Sequence, residues 1–152
     1  MSAIAAFYVF EHDDLEDLLE VSNPRGFNSF LESYATAQSD FGYSGYVFND
    51  LDMLLEPEDA SLFGSMGLRA ESERLSAALG TSMALFDHDS AQSLLARLKA
   101  IKLKSKEVAE LLELEHGSAD PAHVEAVKAA LAQAREWLGQ VQPGSIGLLT
   151  IG

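Results

Sequence analysis

The chain has no cysteine among its 152 residues, which excludes disulfide bonds, thiolate metal sites and cysteine nucleophiles. It also has no apolar run near the roughly 18 residues that a membrane-spanning helix needs. Residues 1–10 carry no basic residue ahead of their apolar run, so we expect no secretory signal peptide. Together these absences predict a cytoplasmic protein whose core is held by packing alone.

Basic residues are scarce: 10 Lys and Arg stand against 24 Asp and Glu, for a net charge of −14. Residues 1–76 hold 15 of the acids and 3 of the bases, so the first half carries most of the charge. Nucleic acids and anionic membranes attract basic surfaces, and we therefore predict neither as a partner. Such a field attracts a cationic protein or metal ion, although acidity can also serve solubility alone.

Three apolar runs organise the chain, at residues 4–10, 81–86 and 145–151. They lack strict alternation, which is typical of strands covered on both faces. The stretches between them show helical periodicity, most clearly at residues 121–138, where Asp120 is the predicted N-cap and Gly139 the end. We predict one α+β (or α/β) domain over residues 1–152, with about three strands under amphipathic helices. A helix is also expected over residues 27–38, after a helix-breaking Asn-Pro-Arg-Gly stretch at residues 23–26.

Two polar stretches follow the first two predicted strands, Glu-His-Asp at residues 11–13 and Asp-His-Asp at residues 87–89. We call them the sheet-end turns. If the strands run parallel, both turns lie at one edge of the sheet, where they could hold Zn²⁺ or Fe²⁺ or supply a general base. The candidate catalytic residues are His12, Asp13, His88 and Asp89.

A structural interpretation of the sheet-end turns is favoured. Asp13 and Asp89 are then helix N-caps, and the histidines are ordinary turn residues. The spacing of these residues matches no diagnostic metal motif, so the sequence predicts no metal and no cofactor. His116 and His123 lie at the ends of predicted helices and are likewise interpreted as structural.

Candidate binding residues lie in the acidic half. The loop at residues 40–46 combines tyrosines with small residues, as many binding surfaces do, although such tyrosines also pack at core edges. Acids follow it, the first of them near a predicted helix start at residues 49–50. Residues 56–67 are predicted to form an irregular loop, static or a mobile cover, with Met66 as one buried anchor. The candidate binding residues are Tyr43, Tyr46, Asp50, Asp52, Glu56, Glu58 and Asp59.

The order of elements resembles the YfbM-like family of uncharacterised bacterial proteins. An opening apolar strand runs into a helix with Leu18-Leu19, a strand, turn and helix follow over residues 83–101, and a long helix precedes a terminal strand. The family's central Trp-Asp with a nearby His and Thr-Gly has no counterpart, because the only tryptophan is Trp137. The resemblance implies an α+β fold and no established activity, and it transfers no functional residue.

Three functions remain open from the sequence. The first is a non-enzymatic acidic protein that binds a basic partner, for example an immunity-type protein for a cationic toxin. The second is a metal-dependent or general-base enzyme built on His12 and His88 with their adjacent aspartates. The third is a domain that forms homo-oligomers through the 121–138 helix. The chain has no phosphate-binding loop, dinucleotide-binding turn or nucleophile elbow, which favours the first.

Overall fold

The computed structural model describes residues 3–64 and 67–152. Within them four strands form one sheet of order β2-β1-β4-β3, and every neighbouring pair is antiparallel. The strands are β1 (Ala5–Glu11), β2 (Thr36–Ala37), β3 (Ser82–Asp87) and β4 (Ser145–Ile151). The three predicted strands are confirmed, and β2 adds a two-residue edge. Because β1 and β3 both oppose β4, they run in the same direction and end at the same end of the sheet.

Seven helices in the described residues cover both faces of the sheet, which confirms the predicted α+β fold. They are α1 (Leu15–Leu19), α2 (Pro24–Tyr34), α3 (Val47–Leu55), α4 (Arg69–Leu79), α5 (His88–Ala100), α6 (Ser105–His116) and α7 (Pro121–Leu138). Helices α3, α5, α6 and α7 pack on one face, and α1, α2 and α4 pack on the other. None of the helices described is both long and apolar enough to cross a bilayer.

An aromatic stack ties α3 and α7 to the sheet. The ring of Trp137 lies between Phe7, at a centroid distance of 5.6 Å, and Phe48, at 5.7 Å. Its Nε1 donates to the Ser39 carbonyl oxygen at 2.9 Å, so the polar end of the indole is satisfied. Close packing extends into β4, where a Cβ on Gly147 would stand 2.5 Å from the Phe7 ring. This stack fixes the helical layer that carries the candidate site.

Helix α4 covers the exposed edge of β3 with hydroxyl groups. Ser72 Oγ accepts from the Leu85 amide at 2.8 Å and donates to the Leu68 carbonyl at 2.7 Å. Ser76 Oγ accepts from the Met83 amide at 3.1 Å. An open edge strand invites pairing with another chain, so these serines protect the edge as well as satisfying buried amides.

The prediction of a helix over residues 27–38 was wrong at both ends. Helix α2 begins at Pro24, and Asn23 Oδ1 accepts from the Gly26 amide at 2.8 Å. The Asn-Pro pair is an N-cap and first helical residue, because proline lacks only an amide that has no partner in a first turn. The helix ends at Tyr34, after which residues 36–37 pair with β1.

Candidate functional site

Asp50 lies in the first turn of α3 on the buried side of the helix. Its neighbours Phe48 and Leu51 are fully buried, and its own side chain is 6% exposed. The helix begins at Val47, so the predicted start at residues 49–50 was two to three residues late. A buried carboxylate is costly unless polar partners surround it. The structure supplies those partners from two other helices.

A short helix–helix connection brings the two histidines together. Helix α6 ends at His116, and Gly117 follows in the left-handed region with φ 79°. Helix α7 begins at Pro121, after a link of four residues, and is capped by the Asp120 carboxylate, which accepts from the Ala122 amide at 2.9 Å. The tight link places the last residue of α6 beside the first turn of α7. The ring centroids of His116 and His123 consequently lie 5.3 Å apart.

Both imidazoles reach the same carboxylate. His116 Nε2 lies 2.8 Å from Asp50 Oδ1, and His123 Nε2 lies 3.0 Å from Asp50 Oδ2. The His116 side chain is 47% exposed and that of His123 is 30% exposed, so the cluster opens from a buried carboxylate towards solvent. We call these three residues the Asp–His–His cluster. Each carboxylate oxygen faces one imidazole nitrogen.

The donor set of the cluster is one that metal ions use. One ligand atom from each residue lies within 4.8 Å of the others, and no other such group of three occurs among residues 3–64 and 67–152. Two imidazoles and one carboxylate hold catalytic Zn²⁺ and non-haem Fe²⁺, with coordination positions left open for water or substrate. In a tetrahedral site with bonds of about 2.0–2.2 Å the ligand atoms lie roughly 3.4 Å apart, so the side chains would have to adjust to close around an ion.

A cavity of about 600 Å³ lies beside the cluster. Its volume falls in the usual range for a small organic ligand. Tyrosine, methionine and alanine side chains form much of its wall, and Asp50 and Glu115 are its acids. The lining residues are Tyr43, Ser44, Tyr46, Val47, Asn49, Asp50, Met53, Glu115, His116, Ala122, His123 and Ala126.

Three predicted binding residues, Tyr43, Tyr46 and Asp50, therefore share one cavity, whereas Asp52 does not line it. Ser61 Oγ donates to Asp52 Oδ2 at 2.7 Å, and the Leu62 amide donates to Oδ1 at 2.6 Å. Burial raises the pKa of the Asp52 carboxyl, against the opposite effect of these two hydrogen bonds. Asp52 thus anchors the loop that follows α3.

The remaining predicted acids face solvent on that loop. Glu56 and Glu58 lie in a single 3₁₀ turn, and both are exposed. Asp59 adopts a left-handed backbone with φ 55°, and its carboxylate accepts from the Arg97 guanidinium at 3.1 Å. Leu62 is fully buried, as an anchor of this loop should be, and the predicted anchor Met66 lies outside the described residues. These acids stand apart from the Asp–His–His cluster.

The sheet-end turns lie on either side of β4. The ends of β1 and β3 pair with its first two residues, so the turns are two strand spacings apart, roughly 10 Å. His12 and Asp13 are exposed. His88 Nδ1 lies 2.8 Å from the Val141 carbonyl oxygen.

The predicted helix caps in these turns were wrong. Asp87 caps α5, because its Oδ1 accepts from the Ser90 amide at 2.8 Å, and Asp89 is instead an exposed residue of the first turn. Neither Asp13 nor Asp14 makes a side-chain cap bond, since the chain continues from β1 through a 3₁₀ turn directly into α1. The polar residues of these turns mostly serve the backbone or face solvent.

Sequence reasoning missed the association of Asp50 with His116 and His123. Residues 50 and 116 are 66 positions apart, and no spacing motif covers such a distance. Two signals were nevertheless present. An aspartate sat on an apolar helix face and needed a partner, and two histidines flanked a link too short to separate them.

The structure is an α+β fold in which one aspartate and two histidines, residue types that can bind a metal ion, meet between three helices. A solved structure that shares this fold is that of YfbM from Escherichia coli, described as a protein of unknown function. The two superpose with a TM-score of 0.51 over 98% of this chain and 99% of that one, at 14% identity. The predicted resemblance is therefore confirmed for the fold. The chain matches no protein-family model and no curated protein sequence.

Proposed function

We propose that this protein is a metal-dependent enzyme that holds a divalent transition-metal ion, Zn²⁺ or Fe²⁺, at the Asp–His–His cluster. The observation that carries the proposal is the convergence of Asp50, His116 and His123 from three helices beside a cavity. Three protein ligands leave coordination positions free, and an ion held in this way polarises a bound oxygen or lowers the pKa of bound water.

The surroundings of the cluster support a metal site in two ways. Asp50 is held in a packed helix next to the aromatic stack, so its carboxylate is fixed before any ion binds. Both histidines approach with Nε2, which leaves each Nδ1 free to carry the proton once Nε2 coordinates an ion.

Metal titration tests the proposal directly. Protein freed of metal by chelation and dialysis is titrated with Zn²⁺ and with Co²⁺ by calorimetry, and bound metal is measured by elemental analysis after dialysis. We expect one ion per chain for the native protein, with loss of binding in His116→Ala and His123→Ala. His88→Ala is the matched control, because that histidine contacts a backbone carbonyl outside the cluster. No stoichiometric ion, or binding that survives both cluster substitutions, contradicts the proposal.

A second candidate is the binding of a basic protein, as an immunity-type protein would bind a cationic toxin. The observation that favours it is a run of exposed acids along β1, the following turn and α1. These acids are Glu11, Asp13, Glu16, Asp17 and Glu20. Opposite charges steer such partners together and fix their orientation. The acidic run lies on a different part of the chain from the metal-ligand residues, so the two functions are separable.

Salt-dependent capture tests this second candidate. The native protein and a neutralised variant, Glu16→Gln with Asp17→Asn and Glu20→Gln, are used as bait for extracts of the source cell. We expect a basic protein that is retained by the native bait at low salt, released as salt rises and lost with the variant. Retention of no basic protein at low salt counts against this function.

A further inference from the structure

The wall of the cavity next to the Asp–His–His cluster carries an unusual share of the exposed large apolar side chains. Six such residues are exposed in the part of the chain that the structure describes, and three of them line this cavity. They are Tyr43 (49% exposed), Tyr46 (45%) and Met53 (44%). Isolated exposed apolar residues need no explanation, but a group around one concave surface is typical of a ligand site.

The loop that presents the tyrosines is fixed to the fold. The Gly45 amide donates to the Ala3 carbonyl at 2.8 Å, and a Cβ at Gly45 would lie 2.7 Å from the Ala5 backbone nitrogen. Phe41, on the other side of the loop, packs edge-on against Phe48 at 5.0 Å. The backbone is therefore held while the two tyrosine rings project outwards. A wall fixed in this way loses little conformational entropy when a ligand binds.

Apart from the ion itself, the charged side chains around the cavity are acids, which disfavour an anionic ligand. Asp50 and Glu115 are the acids that line it, and its described lining includes no lysine or arginine. The N-terminus of α7 also borders the cavity, but it begins with Pro121, which has no amide hydrogen. The next amide, of Ala122, is already bound by Asp120. The arginine forks that usually bind phosphate are missing from the described wall.

We infer that the substrate is an uncharged or cationic organic molecule with an aromatic or apolar body and one oxygen donor for the metal, rather than a phosphorylated compound. This inference rests on the proposed metal function. The tyrosines and Met53 would hold the body of the substrate, where aromatic faces also suit a cationic group. The open positions of the ion would take the oxygen.

Three probes separate these features on zinc-loaded protein. Benzohydroxamic acid is uncharged in solution, carries a ring and gives up one proton when its oxygens bind zinc. Acetohydroxamic acid has the same donor group without the ring. Phenylphosphonate has the ring with a doubly charged anionic donor. Calorimetry gives the affinity of each, and elemental analysis gives the zinc content of every sample.

Benzohydroxamic acid should bind at least about tenfold more tightly than acetohydroxamic acid, because burial of a ring of this size contributes at least that much. It should also bind more tightly than phenylphosphonate, because the acids that line the cavity repel an anionic donor. The double variant Tyr43→Ala with Tyr46→Ala should remove most of the preference for the ring. Tyr34→Ala is the matched control, since Tyr34 is 51% exposed but does not line this cavity. It should leave the affinities for the three probes unchanged.

The outcomes distinguish this inference from the proposed function. If zinc binds but the two hydroxamic acids bind equally, or phenylphosphonate binds most tightly, the substrate class is wrong and the metal site stands. A preference for the ring that persists in the tyrosine double variant also overturns the inference. If zinc fails to bind, the proposed function and this inference are overturned together.

Discussion

The sheet-end turns and the Asp–His–His cluster contain the same residue types but differ in what their side chains contact. In the turn after β3, Asp87 accepts from the Ser90 amide and His88 meets the Val141 carbonyl, so both serve the backbone. In the cluster the side chains contact one another. Ligand-type residues that are adjacent in sequence therefore often bind backbone groups at a helix start, whereas residues that converge from separate helices form a site.

Burial separates the two regions as well. His12 is exposed just after β1, but Asp50 is buried between apolar residues of α3. Without the two imidazoles, the buried Asp50 carboxylate would lose the polar partners that offset the cost of burying it. In the cluster the polar contacts satisfy a buried carboxylate, whereas in the turn after β3 they satisfy backbone groups.

The largest expected effect is on metal affinity at Asp50. Asp50→Ala removes a ligand and the negative charge, and we expect the affinity for Zn²⁺ to fall by about 100-fold or more, beyond the loss seen on removing an outer partner. Asp50→Asn retains the side-chain volume and should fold even if the alanine variant does not, with a similar loss. Titration calorimetry provides both affinities. The matched substitution in the sheet-end turns, Asp87→Asn, should leave the affinity unchanged.

The next largest effect concerns stability at the start of α5. Asp87→Ala removes the N-cap bond to the Ser90 amide and should lower the free energy of unfolding by about 1 kcal/mol, within a range of about 0.5–2 kcal/mol. Asp89→Ala is the control, because its exposed carboxylate makes only a small favourable interaction with the helix dipole. Urea unfolding measures both. A larger loss for Asp89 than for Asp87 would show that the cap is misassigned.

Asp50 and Asp52 lie two residues apart in α3, but Asp50 contacts the two histidines whereas Asp52 anchors the following loop. Burial raises the pKa of Asp52 in the folded state above its ordinary value of 3.8. The folded state then binds the proton more tightly, so the stabilisation from this carboxyl is present below pH 3.8 and is lost as pH rises through the raised pKa.

Asp52→Asn should therefore gain stability relative to the native protein as pH rises through this window, because the amide has no charge to bury. Its oxygen can still accept from the Leu62 amide. Urea unfolding of both proteins across the pH series gives the difference, and zinc affinity should stay unchanged. A difference in stability that does not vary with pH would contradict the assignment.

The smallest effect is expected at His12. Its side chain is exposed and lies in a turn that carries no side-chain cap bond, so His12→Ala should change the free energy of unfolding by less than about 0.5 kcal/mol. Zinc affinity should also be unchanged. A drop in zinc affinity comparable to that of Asp50→Ala would place the metal site at the sheet-end turns and contradict its assignment to the Asp–His–His cluster.

Much of the fold was accessible from the sequence because burial leaves a local signature. Residues 145–151 form a continuous apolar run, and they are indeed the central strand β4, covered on both faces. Helix α7 was bounded correctly by Asp120 and Gly139 because caps are local contacts. Strand β2 was missed because two exposed residues held by pairing with β1 carry no pattern of their own.

The site was less accessible, because its geometry depends on how α3 packs against the α6–α7 pair. The sequence selected Asp50, Tyr43 and Tyr46, which do line the cavity, but assigned His116 and His123 to separate helix ends. Helix periodicity gives the buried face of each helix but not which helix it meets. The acid–histidine stretches of the sheet-end turns stand out in the sequence for a local reason, since helix starts recruit aspartate wherever they occur.

Crystals of the protein soaked in Zn²⁺, with anomalous diffraction measured at the zinc edge, show where the ion binds. We expect one strong peak about 2.0–2.2 Å from the Asp50 carboxylate and from Nε2 of His116 and His123. A peak at His12 or His88 with none at the cluster would contradict this expectation.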